Sequence, residues 1–177
     1  MSDLSKIPLL AQALVACRLC RRAVLAMLAE TDQQLALGVC DVIESMTKIA
    51  GKTIDRDSSK VVLSRIHRTR SNQAALQSLH WALEAVVAAH GPSVLSGDEP
   101  ATVAAMRCIE SVSDDPRISA LQIAIVVESD IDLLAFACDE DGIQLSDSLS
   151  DRVFKRLPPC HALTLGEPRR NPEDDYR

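Results

Sequence analysis

Ile118-Ser119-Ala120-Leu121-Gln122-Ile123-Ala124-Ile125-Val126-Val127 is the stretch that decides the fold of this 177-residue chain. Its density of Ile and Val suits a buried strand. A strand needs a partner, because unpaired backbone N–H and C=O groups are costly once water is excluded. No second strand-like run stands elsewhere in the sequence to supply one. Read with helical period, the region continues through Ala124, Val127, Ile131, Leu134 and Cys138 on one stripe, with further apolar residues on its other sides. The pattern therefore predicts a helix, and a central, largely buried one.

Upstream, the helical period repeats. Leu10, Ala13, Cys17, Cys20, Val24 and Met27 alternate in steps of three and four, which predicts a helix from about Pro8 to Glu30. Arg18, Arg21 and Arg22 fall largely outside that stripe. Thr31-Asp32-Gln33-Gln34 reads as a capping box. Ala36, Val39, Ile43, Met46 and Ala50 follow as the buried stripe of a second helix, closed by Gly51. The near absence of a loop between the two predicts an antiparallel hairpin. A third helix is expected from Ser58 or Ser59 to about Arg70, with Val61, Val62, Leu63 and Ile66 as its apolar residues. A fourth carries Leu76, Leu79, Leu83 and Val86 and stops at Gly91-Pro92.

Pro100 suits the first turn of a fifth helix ending near Val112, with Asp98 and Glu99 at the positive end of its dipole. Asp115-Pro116 reads as the start of the sixth. Asp139-Glu140-Asp141-Gly142 reads as a turn. A short helix over Ser146 to Leu157, capped by Ser146 or Ser148, is stopped by Pro158-Pro159. The expected fold is all-α: a compact bundle of about six to eight antiparallel helices in one domain over 1–157, followed by a disordered polar tail over 158–177. Cys40-Asp41-Val42-Ile43-Glu44-Ser45 echoes Cys108-Ile109-Glu110-Ser111, which suggests a weak duplication of 8–70 in 71–138.

Composition narrows the function classes. A hydrophobic share of 47% excludes a disordered chain, and 2% aromatic residues make the core aliphatic. Six cysteines are too few for a disulfide scaffold of this length. No run reaches the roughly 18 apolar residues of a membrane span, and the first residues lack the basic start of a secretory signal. The expected location is cytoplasmic, with reduced thiols. The net charge of −6 is unevenly spread. Residues 1–70 hold 11 Lys/Arg against 7 Asp/Glu, and residues 71–177 hold 8 against 18.

Few motifs carry chemistry. Cys17-x-x-Cys20 lacks a second pair to complete a zinc site and lies mid-helix on an apolar stripe, so both thiols are expected in the core. Cys160-His161 are adjacent on a loop, where thiol and imidazole seldom meet. Asp139-x-Asp141-Gly142 fails as a calcium loop, since its Gly register puts Ala137 first and Ser148 last. No phosphate-binding glycine loop, nucleophile elbow or His-Glu-x-x-His occurs. No metal site or cofactor is implied.

Two candidate binding surfaces remain. Arg65, His67, Arg68 and Arg70 form a basic patch, and His80 and Glu84, four apart, share a polar helix face. The scarcity of aromatics and the overall negative charge argue against nucleic acid as the ligand of that patch. The expected function is a non-enzymatic protein-interaction module of inhibitor, immunity or adaptor type. Its acidic half would meet a basic protein partner, with no membrane association. The alternatives are a small helical enzyme or ligand-binding protein with a pocket between helices, and a structural homo-oligomer.

Overall fold

A computed structural model describes residues 3–49, 56–91, 100–145 and 147–167. Among them the chain forms a 3₁₀ turn at Leu4–Lys6 and seven α-helices, with no strand. The helices are α1 Leu9–Met27, α2 Glu30–Thr47, α3 Arg56–Ser64, α4 Gln73–Ala89, α5 Pro100–Ser113, α6 Ala120–Glu140 and α7 Asp151–Arg156. The ambiguous stretch is thus helical from Ala120 onward, as the missing partner strand requires.

The central helix is α1, not α6 as the sequence predicts. Fifteen of the nineteen residues of α1 are buried. Its expected stripe of Leu10, Ala13, Cys17, Cys20 and Val24 is almost fully covered, and so are Ala11, Leu14, Val15 and Leu19 on its other sides. It packs against α2, α4, α5 and α6. The helix α6 buries seven of twenty-one residues, among them Val127, Ile131, Leu134 and Cys138 of the expected stripe; Ala124, expected with them, is exposed, and Ile123 beside it is buried instead, because the buried face is turned by one residue at the start of the helix. Its second apolar face points outward, with Leu121, Ile125 and Phe136 exposed.

Direction along α1 follows from pairs of contacts. Cys20 Sγ lies 3.7 Å from Cys40 Sγ, and Gln33 Nε2 donates to the Leu25 carbonyl at 3.2 Å, so α1 and α2 form the antiparallel hairpin expected. The helix α5 runs the same way as α1. Thr102 Oγ1 donates to Gln12 Oε1 at 2.7 Å, and one to two turns further on Cys108 Sγ donates to the Ala16 carbonyl at 3.4 Å. The helix α4 runs against α5: Arg107 lies over the Trp81 ring at 4.8 Å, while Arg117 Nη2 reaches the Ser71 carbonyl at 2.5 Å.

Several boundaries differ from the sequence reading, each for a local reason. Helix α2 starts at Glu30 after an extended Ala29, and Thr31 is not its cap, because Leu28-Ala29 alone turns the chain between the two helices. Helix α3 ends at Ser64 rather than Arg70. Arg65 N–H and Ile66 N–H bond three residues back, tightening the last turn, and Asn72 then holds the loop through Thr69 N–H at 2.9 Å and the His67 carbonyl at 2.8 Å. Within α3, Leu63 is buried but Val61 is exposed.

Asp115-Pro116 does not start α6. The Asp115 carboxylate is taken by Arg117 N–H at 2.9 Å and by the Arg117 guanidinium, folding a turn, and the helix begins after Ser119. Gly142 closes the turn after α6 with φ of 65°. Helix α7 is capped by Ser150, which accepts from Val153 N–H, and not by Ser148; Ser146 lies outside the described residues. Ala50, Gly51, Pro92, Asp98 and Glu99 also lie outside them.

Arg18 and Arg22, expected off the buried stripe, are 6% and 8% exposed. Both close on Asp130 of α6, itself 1% exposed: Arg18 Nε donates at 3.0 Å, Arg22 Nη1 at 2.6 Å and Arg22 Nη2 at 3.2 Å. A buried carboxylate is tolerated only with such partners. Burial opposes the charge on Arg22, yet its bonds to Asp130 raise its pKa above the ordinary arginine range.

The same triad holds the C-terminal segment. Arg18 Nη2 donates to the Pro158 carbonyl at 2.9 Å, and Leu163 N–H to the Arg22 carbonyl at 3.2 Å. Gly166 N–H bonds the Arg117 carbonyl at 2.7 Å, and Leu163 is buried. The packed chain therefore extends to Gly166, nine residues into the stretch that the sequence reading assigns to the tail; residues 168–177 lie outside the described residues.

Candidate functional site

The residues singled out in the sequence converge in part. A cleft of about 750 Å³ lies between α3, the loop after it and α4. Arg68 and Arg70 from the loop, Lys60 from α3 and His80 from α4 line it, with Leu63 and Leu76 as apolar lining and Gln73 and Gln77 as amide side chains. Two stretches read separately thus meet in one concavity. Arg65 and His67 do not reach it. Both are exposed on the same loop, flanking the buried Ile66 that anchors it.

Glu84 sits one turn beyond His80 on α4. Its Oε1 lies 2.6 Å from Arg56 Nη2, 3.5 Å from Lys60 Nζ and 4.0 Å from His80 Nδ1. This carboxylate already faces two cations, Arg56 and Lys60. Among the described residues neither Arg68 nor Arg70 belongs to an ion pair.

A second concavity escapes the sequence reading. A groove of about 530 Å³ runs between α5, α6 and the 3₁₀ turn. Leu4, Met106, Ile109, Ile123, Ala124 and Val127 give it an apolar floor. Asp3, Glu110, Asp114 and Glu128 rim it, and no lysine, arginine or histidine lines it. Glu128 is shared with a shallower depression of Ile125, Asp132, Leu133 and Phe136 on the outer face of α6. Helix α6 contains five acids and no base. Arg156 of α7 pairs with Glu140 and lies 6.0 Å from the Phe136 ring at the far end of that face.

The sequence signal for this groove was present in α6. Apolar residues on more than one side, combined with acids and no base, mark a helix with two uses for its faces. The sequence reading spent both on burial.

The cysteines behave as core atoms. Cys17, Cys20, Cys40, Cys108 and Cys138 are buried, and Cys160 is half-buried. A hydrogen bond with Cys40 and burial push the Cys17 thiol well above 9.0, burial raises Cys20 and Cys108, and burial beside Asp141 takes Cys138 to about 11. Thiols so placed stay protonated at neutral pH, and the thiolate is the reactive form. Among the described residues no three His, Cys, Asp or Glu side chains are grouped to hold a metal ion, and no helix is long and apolar enough to cross a membrane.

No protein-family model, curated protein or solved structure matches this chain.

Proposed function

We propose that this protein is a helical interaction module that docks a basic, amphipathic segment of a partner protein in the groove between α5 and α6. The observation that carries the reading is the make-up of that groove: an apolar floor under four carboxylates, with no base among its lining residues. An apolar concavity takes the anchoring side chains of a partner helix, and a rim of one sign selects flanking charges of the other. The exposed Leu121, Ile125 and Phe136 extend the apolar surface along α6. A second copy of the chain is a poorer occupant, because symmetric pairing through α6 sets acid against acid.

The test uses a labelled synthetic peptide with Leu and Lys at helical spacing, and a scrambled peptide of the same composition, in fluorescence anisotropy with the full chain. The expected result is saturable binding of the patterned peptide, weakened by salt and lost in Ala124→Arg, which fills the groove with a like charge to the ligand. Equal binding of the scrambled peptide, or indifference to Ala124→Arg, sinks the reading. A mass in light scattering that rises with concentration, and falls back in Ala124→Arg, would instead put a second copy in the groove.

A further inference from the structure

The cleft between α3 and α4 is chemically the opposite of the acidic groove. We propose that it binds a small organic phosphate, a phosphomonoester on a compact, non-aromatic body.

Four features converge on that ligand. First, Arg68 and Arg70 line the cleft without an ion-pair partner among the described residues; Arg65, Arg107 and Arg152 are likewise unpaired there, but none of those three lines the cleft. Two guanidiniums with free forks match the oxygens of a phosphate better than any single-charged anion.

Second, the first turn of α4 opens on the cleft at Gln73 with no side-chain cap and no acid. Asn72, at the cap position, has turned its amide back to Thr69 and His67 instead. The uncapped N–H groups and the dipole favour an anion at that end.

Third, no Asp or Glu is among the described lining residues, and Glu84, one turn beyond His80, is neutralised by Arg56 and Lys60 at 2.6 and 3.5 Å, so it does not cancel the field of the loop arginines.

Fourth, the volume of about 750 Å³ is in the range of small-molecule sites. Leu63 and Leu76 offer an apolar surface, and Gln73 and Gln77 offer donors and acceptors for hydroxyl groups. No Phe, Tyr or Trp is among the lining residues, and the one ring there is the small His80 imidazole, which favours a compact body over the bases of nucleotides and single-stranded nucleic acid.

The probes are glucose 6-phosphate, inorganic phosphate and glucose, titrated into the ¹⁵N-labelled full chain and followed by backbone amide shifts. Glucose 6-phosphate is expected to saturate shifts over residues 69–77, inorganic phosphate to do so more weakly, and glucose to do nothing. Arg68→Gln and Arg70→Gln should each weaken glucose 6-phosphate about tenfold or more, the loss expected of one charge-assisted contact. Both side chains are exposed, so the melting temperature of each variant should match the parent. Ala124→Arg, in the acidic groove, should leave the titration unchanged, so this inference and the proposed function fail separately. Shifts that do not saturate, that are the same in Arg68→Gln and Arg70→Gln, or that glucose alone reproduces would overturn the proposal.

Discussion

Helices α1 and α6 are both rich in aliphatic residues, and the chain uses them in opposite ways. Helix α1 is surrounded: neighbours cover fifteen of its nineteen residues, and two of its three arginines, Arg18 and Arg22, are taken inside. Helix α6 is covered on one side only. It spends Ile123, Val127, Ile131 and Leu134 on the core and leaves Leu121, Ile125 and Phe136 in water. Apolar content alone therefore does not set burial. The number of neighbouring elements does, and for α6 the uncovered remainder is where function is proposed.

The hardest test of this contrast is the residue that joins the two helices. Asp130→Ala should leave two buried guanidiniums without a counter-charge and cost about 3–5 kcal/mol in denaturant unfolding. A small change would mean that water reaches the triad and that α6 is barely fastened to α1.

The next test compares single truncations. Leu14→Ala on α1, where Leu14 is 1% exposed, should cost about 2–5 kcal/mol. Leu121→Ala on α6, where Leu121 is 69% exposed, should change stability by less than about 0.5 kcal/mol. Similar losses at the two positions would abolish the distinction between a surrounded and a half-covered helix.

The smallest effect concerns the entry to α6. Arg117 holds the Asp115 carboxyl below its ordinary 3.8, chiefly through the side-chain hydrogen bond. A depressed carboxyl pKa stabilises the fold above the unfolded value, and that contribution fades as pH falls through the folded one. The parent should therefore lose more stability than Asp115→Asn between about pH 4 and pH 2. Parallel pH profiles would show that this corner does not steer α6.

Much of the fold is legible in the sequence because it rests on local rules. The stripe from Leu10 to Val24 and the lack of a partner strand for Ile118–Val127 are visible without coordinates. What escapes is non-local. Nothing near Arg18 or Arg22 in sequence announces that Asp130, more than one hundred residues away, makes their burial tolerable. Capping signals misled where a tertiary partner claimed the same atoms, as Arg117 claims Asp115. Of the candidate residues, Arg68, Arg70, His80 and Glu84 were readable one by one. That the first three share a cleft depends on where α3 stops, and a helix end is poorly marked when no glycine follows it.

The clasp of α1 by distant segments also bears on how the chain is made. During synthesis from the N-terminus, α1 leaves the ribosome ahead of α2 to α7, yet the carboxylate its guanidiniums require comes 112 residues after Arg18 and the carbonyl of Pro158 comes 140 after it. At ordinary elongation rates the wait for Asp130 is roughly 6–22 s. Throughout that interval the most buried helix of the bundle has no complete shelter, and its guanidiniums and its apolar faces stay in water until α6 has emerged.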